Sequence, residues 1–174
     1  ISYYNDVMKF HPNNYSLQRT KLSINGIDKL GLYTDIVERN DGHLYALPYN
    51  GTKVVKINMI NLVATTVGAS LHNETSQWSS SVLGRDHCIY GIPYKAKQVV
   101  KFNPADNTIT MIGKEYDGQW KWCRGCLASN GRKIFAAPFN ASNVLQITIT
   151  CWDVVKEHIM IRWLVERKRA VAIY

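Results

Sequence analysis

No run of apolar residues in this 174-residue chain approaches the ~20 that a membrane-crossing helix needs. The start lacks a charged stretch followed by an apolar one, and its first residue is Ile rather than Met. The chain is therefore expected to be a piece of a longer protein, its true N-terminus and any signal peptide lying outside it. No Gly-rich phosphate loop and no Ser-His-Asp order can be read, and His11, His43, His72 and His158 stand at no recognisable spacing from a nucleophile or carboxylate. Glu115 and Asp117 are paired acids, and they fall in a stretch that reads as a solvated turn. These gaps weigh against an enzyme, and no cofactor is expected.

What is present is repetition. Residues 42–58 (GHLYALPYNGTKVVKIN), 87–103 (HCIYGIPYKAKQVVKFN) and 132–148 (RKIFAAPFNASNVLQIT) are copies of one another, each starting 45 residues after the last. Units of this period built from short β-patterned runs are the signature of propeller blades. In the second unit the runs fall at 79–83, 88–92, 99–102 and 108–112, which makes four antiparallel strands. Asn103-Pro104-Ala105-Asp106-Asn107 supplies a tight hairpin between the last two, and Gly113 allows a positive φ after the outer strand.

The expected fold is all-β: a partial propeller of four-stranded antiparallel blades. Residues 1–20 hold half a blade, and full blades cover about 32–67, 79–112 and 125–156, so that 1–150 form the repeat region. From 151 to 174 the repeat fades into a divergent basic tail containing Arg167, Lys168 and Arg169, where a short helix is expected. About three and a half blades fall short of the four to eight of closed rings. Self-association through open blade sides is therefore expected of the isolated chain.

The units resemble a β-propeller repeat family with Ile-Pro-Tyr blades, found in protists and microalgae. The matching elements are Leu127-Ala128-Ser129-Asn130-Gly131, Tyr90-Gly91-Ile92-Pro93-Tyr94 and Val99-Val100-Lys101-Phe102-Asn103-Pro104. The resemblance covers about residues 1–150 and implies blade structure rather than a reaction. A more distant similarity is to YVTN-type and gluconolactonase-like propellers, which implies a metal-dependent lactonase as the alternative function. The metal-binding carboxylate and Asn positions of such a site find no match here. The architecture is kelch-like, although the three units lack both the double Gly of kelch repeats and the Trp-Asp close of WD repeats.

The net charge is +8, from 21 Lys and Arg against 13 Asp and Glu, and it is dispersed. The nearest thing to a nucleic-acid stripe is residues 114–124, with Trp120, Lys121, Trp122 and Arg124, which read better as a solvated loop. No nucleic-acid partner is expected.

On a propeller, the loops joining second to third strands share a rim with those leading into each first strand, and binding sites favour such loops. The first set contains Asn50, Lys53, Lys95, Lys97, Asn140 and Asn143; the second contains Trp78, Trp120 and Trp122. Flat aromatic faces beside amides and ammonium groups suit a glycan, a peptide or another protein. The opposing reading is that Trp78 and Trp122 wedge between blades as anchors. Tyr49, Tyr94 and Phe139 follow Pro48, Pro93 and Pro138 in every unit, and that recurrence assigns them to architecture.

Cys123 and Cys126 form a C-x-x-C pair, and with Cys88 and His87 a zinc site can be drawn; a disulfide and buried free thiols are the other readings. His87 and Cys88 point to opposite faces if both lie in one strand, which counts against the metal. Sequons at Asn14, Asn50, Asn73 and Asn140 are candidate glycosylation sites and lean towards a secreted or cell-surface protein. The function these residues favour is a non-catalytic binding scaffold. A lactonase-like hydrolase and a purely structural repeat module are the alternatives.

Overall fold

The computed structural model of the chain describes residues 6–21, 23–25, 33–71 and 75–150. These residues are all-β. A hairpin of β1 (Asp6–His11) and β2 (Ser16–Lys21) comes first. The next sheet carries β4 (Val37–Arg39), β5 (His43–Ala46), β6 (Val54–Asn58) and β7 (Val63–Val67) as an antiparallel meander. The middle sheet carries β8 (Trp78–Leu83), β9 (Ile89–Pro93), β10 (Val99–Asn103) and β11 (Thr108–Ile112) in the same order. The last holds β12 (Trp122–Leu127), β13 (Lys133–Pro138) and β14 (Leu145–Thr148). The fourth strand expected of this sheet and the expected C-terminal helix fall in 151–174, outside the described residues.

One strand departs from the meander. The segment β3 (Ser23–Asn25) lies parallel to β7, with Ser23, Ile24 and Asn25 opposite Val63, Ala64 and Thr65, so the first sheet has five strands.

Strand formation follows from the residues. In β6 and β10 the Val-Val-Lys-apolar-Asn pattern buries both Val residues and the fourth position, because each sheet is packed on both faces. The closing Asn turns the chain: Asn58 Oδ1 accepts from Ile60 N at 2.8 Å, and Asn103 Oδ1 from Ala105 N at 3.1 Å. Each outer hairpin then passes through a left-handed residue, Tyr15, Leu62 or Asn107, with φ of 54°, 55° and 59°.

The core lies between sheets rather than within one. Tyr45, Leu47 and Val54 of the first sheet meet Ile89, Val100 and Phe102 of the middle one. One unit further on, Tyr90, Ile92 and Val99 meet Ile134, Leu145 and Ile147. Each wholly buried aliphatic side chain here contributes about 1.5–3 kcal/mol of transfer free energy.

The first strands β4, β8 and β12 form the inner edge, where the sheets come closest. Ser79 Oγ donates to the Trp122 carbonyl at 2.9 Å, Gly125 N donates to Ser80 Oγ at 3.0 Å, and Ser81 N donates to Asp35 Oδ2 at 2.8 Å. A Cβ on Gly125 would stand 2.8 Å from Ile92 and Val82 side-chain atoms, so only a hydrogen fits there.

Candidate ligand-binding rim

At one end of the sheets, the segment entering each first strand is laced to the loop that follows the second strand. Tyr94 N donates to Gln77 O at 2.8 Å, Lys95 N to Ser76 O at 3.0 Å and Ala96 N to Gln77 O at 3.1 Å. The next sheet repeats the set: Phe139 N to Lys121 O at 2.8 Å, Asn140 N to Trp120 O at 2.9 Å and Ala141 N to Lys121 O at 3.1 Å. Neighbouring sheets are joined in the same way, by Gln77 N to Tyr49 O at 2.9 Å and Lys121 N to Tyr94 O at 3.0 Å.

These bonds show that between the middle and last sheets the first strand repeats at 44 residues, from Ser76 to Trp120, while the rest repeats at 45. Ser76 and Trp120 share a left-handed backbone, with φ of 60° and 56°. Cys126 is therefore the counterpart of Val82 rather than of Ser81: it pairs with Phe135 as Val82 pairs with Tyr90.

Trp78 and Trp122 are equivalent and spend themselves alike. They are 2% and 5% exposed, and their indole N–H groups donate to the carbonyls of Gln98 at 3.1 Å and Asn143 at 2.7 Å. Each indole pins the loop between the second and third strands of its own sheet. Tyr116 packs edge-on against Trp122 with ring centroids 4.8 Å apart.

Two clefts open beside these anchors. One, of about 340 Å³, is bordered by Trp78, Lys95, Lys97, Gln98 and Glu115. The other, of about 530 Å³, is bordered by Glu115, Asp117, Lys121, Trp122, Asn140 and Asn143. Trp120 is 45% exposed and lines neither. Lys53 is exposed on the corresponding loop of the first sheet, where its carbonyl accepts from Tyr33 Oη at 2.8 Å. Asn50 spends its side-chain oxygen on Ser76 N at 2.7 Å. Lys97 Nζ is 4.0 Å from Glu115 Oε2, and both side chains are well exposed, so this pair adds little.

The sequence places Lys121 in a solvated loop, and the structure corrects this. It is 4% exposed, and its ammonium donates to the carbonyls of Gly118 at 2.9 Å, Lys95 at 3.3 Å and Tyr94 at 3.4 Å. Burial pulls its pKa below the ordinary lysine value, against the opposing charge of Asp117. Its counterpart in the middle sheet is Gln77, equally buried, so this position takes a polar group in both sheets.

A second feature escaped the sequence reading. Tyr49, Tyr94 and Phe139 form a continuous row across three sheets, with ring centroids 6.2 Å and 6.0 Å apart. The spacing in sequence shows the recurrence but not that the rings touch.

Away from the rim, Asp86, Tyr90 and Lys101 form a buried cluster. Asp86 Oδ2 accepts from Tyr90 Oη at 2.7 Å and pairs with Lys101 Nζ at 2.9 Å. Burial alone would raise the Asp86 pKa; the bonds from Lys101 and Tyr90 outweigh it and hold the carboxyl below its ordinary value. Asp41, Tyr45 and Lys56 stand in the same positions one unit earlier, with Tyr45 Oη donating to Asp41 at 3.0 Å and Lys56 Nζ 5.8 Å from the Tyr45 ring. The last unit replaces all three by Gly131, Phe135 and Gln146.

The drawn zinc site does not assemble: among the described residues no three His, Cys, Asp or Glu side chains gather as metal ligands. Cys88 is buried in the packing between the middle and last sheets. Cys123 and Cys126 pair with Ala137 and Phe135, on the opposite face of the last sheet from Ile134 and Ala136, which line that packing. Cys123 and Cys126 are free thiols. His87 is in a turn at φ 60°, ahead of β9. Among the sequons, Asn50 and Asn140 are exposed on the rim, Asn14 is exposed in the β1–β2 turn, and Asn73 lies outside the described residues.

No family model and no curated protein matches the sequence. Among solved structures, the chain is similar to the extracellular domain of the one component system BT4673 from B. thetaiotaomicron, at TM-score 0.58 and 11% identity, covering 86% of this chain and 22% of that one. It is similar to virginiamycin B lyase from Staphylococcus aureus, at TM-score 0.56 and 10% identity, covering 86% and 50%. It is also similar to an auxiliary nutrient binding protein from Bacteroides ovatus, at TM-score 0.54 and 11% identity, covering 85% and 39%. The chain thus spans half or less of the length of each. No helix among the described residues is long and apolar enough to cross a membrane. The sheets, their packing and these likenesses together give the fold: the chain is all-β and forms part of a β-propeller.

Proposed function

We propose that this chain is a non-catalytic binding scaffold that engages a glycan, peptide or protein through its rim loops. The observation that carries the reading is the pair of adjacent clefts, about 340 and 530 Å³, that meet at Glu115 and are bordered by lysine and amide side chains. Pinned loops support it: each is held by an indole N–H and by backbone bonds, so the side chains it presents are preorganised. The similar structures include an extracellular domain and a nutrient binding protein, which accord with a binding role, and a lyase, which accords with the enzymatic alternative.

Glycan arrays and pull-downs with Lys97→Ala and Asn140→Ala, one from each cleft, test it. Both positions are exposed, so both variants should fold while binding weakens. A partner held equally well by both variants would move the site off this part of the rim. Turnover of a lactone with stoichiometric bound metal would replace the reading by the hydrolase alternative. The same reading takes the open side of the last sheet as the place where isolated chains associate.

A further inference from the structure

Three tyrosines inside the structure spend their hydroxyls. Tyr33 donates to the Lys53 carbonyl, Tyr45 to Asp41 and Tyr90 to Asp86, at 2.8, 3.0 and 2.7 Å. Tyr49 and Tyr94 differ: among the described residues neither hydroxyl has a hydrogen-bond partner, although their rings touch at 6.2 Å. Phe139 continues the row at 6.0 Å and is 60% exposed. A purely structural aromatic buries its face and satisfies its hydroxyl. In this row the two tyrosines are only half-buried with their hydroxyls unspent, and the row ends in a ring that stands largely in solvent.

The surroundings define what can lie on it. Lys95 and Lys97 follow the middle ring in the chain, Asn50 and Asn140 follow the outer two, and the Lys121 ammonium donates to the carbonyls of Tyr94 and Lys95. Glu115 and Asp117 are the acids nearby, which leaves an excess of positive charge. Backbone groups offer little to a peptide main chain here, because the amides of Tyr94, Lys95, Phe139 and Asn140 already bond to the neighbouring segments. A peptide adding as a strand needs an open sheet edge, whereas this row runs across sheets.

We propose that Tyr49, Tyr94 and Phe139 form a stacking platform for an anionic polysaccharide. The flat C–H faces of successive sugar rings lie on the aromatic row, the sugar hydroxyls meet the tyrosine hydroxyls and Asn side chains, and the acidic substituents meet Lys95 and Lys97. This rests on the rim being the binding face, and it adds the ligand class and the residues that grip it.

The test is titration calorimetry at low salt with a carboxylated polysaccharide, polygalacturonate, a sulfated one, chondroitin sulfate, and a neutral galactan. At least one anionic polymer should bind and the neutral one should not. Phe139→Ala and Tyr94→Ala should each weaken binding about tenfold. Tyr94→Phe keeps the ring and should lose less. Replacing Lys95 and Lys97 together by Ala should weaken binding and flatten its salt dependence. Phe139 is largely in solvent, so Phe139→Ala remains informative even where Tyr94→Ala fails to fold. Binding of neither anionic polymer overturns the proposal, as does binding that Phe139→Ala leaves unchanged. If a neutral glycan or a peptide instead binds and is lost in Asn140→Ala, the platform falls while the rim reading stands; if nothing binds the rim, both fall.

Discussion

The indole N–H of Trp122 donates to the carbonyl of Asn143 at 2.7 Å, and both residues border the larger cleft. Trp78 makes the same bond to Gln98 one unit earlier. Trp122→Phe keeps most of the packing and loses this bond, so it should cost about 1 kcal/mol in denaturant unfolding. Trp122→Ala also opens a cavity against Tyr116 and should cost about 3–5 kcal/mol. Equal effects from the two would show that the bond, not the packing, fixes the loop.

The Asp86–Lys101 pair should give the protein a stability plateau in pH. Asp86 is held below its ordinary 3.8, so its contribution is complete above that value and is lost as pH falls through the lower folded one. Lys101 is weakened as a cation by burial, but the Asp86 bond outweighs this and raises it above its ordinary 10.5. Its contribution is complete below 10.5 and is lost only as pH rises past the folded value. The melting temperature should therefore be flat between about pH 5 and 9 as far as this pair decides it. Asp86→Ala should lower the plateau by about 3 kcal/mol, because the carboxylate is wholly buried. Asp41→Ala, where the carboxylate is 27% exposed, should cost only about 1 kcal/mol. A larger loss at Asp41 would contradict this ordering.

Lys121 and Gln77 fill one position in successive sheets, which predicts an asymmetric pair of variants. Lys121→Gln should stay within about 1 kcal/mol of the parent, since an amide can still donate to the same carbonyls. Lys121→Ala takes the ammonium away from the Gly118 and Lys95 carbonyls, leaving Tyr94 O only the Lys121 amide, and should cost about 2 kcal/mol. Chemical denaturation of both reads the difference, and an Ala variant as stable as Gln would contradict it.

The strands of the middle sheet were legible because the apolar runs and their turn residues repeat. The expected run at 108–112 coincides with β11, and 99–102 falls one residue short of β10. What the repeat could not show is where side chains go once sheets pack. The one-residue shortening of the first-strand interval sets which face Cys126 takes, and it becomes visible only through the pairing with Phe135. Lys121 reads as a surface lysine because only the folded carbonyls of Tyr94, Lys95 and Gly118 make its burial tolerable. The parallel strand β3 is three residues long and pairs with β7 far along the chain, so no local pattern marks it. Where the rim was anticipated, its aromatic row was assigned to packing. Recurrence looks the same whether rings are buried or presented.

Val144 occupies the position of Val54 and Val99, which are 0% and 3% exposed, yet it is itself 58% exposed. Among the described residues, no following sheet covers here the face that one covers in the first two units. Sedimentation equilibrium of the chain should show mass rising with concentration, and Val144→Asp should suppress the rise by placing a charge in the contact. A monomer at every concentration would contradict the expectation.

The rim is tested most directly by hydrogen exchange of the chain with and without a partner recovered from glycan arrays or pull-downs. The account predicts protection of residues 94–98 and 139–143, with the outer hairpin turns at 59–62 and 104–107 at the other end of the sheets unchanged. Protection confined to those outer turns, or a partner that protects neither set, would contradict it.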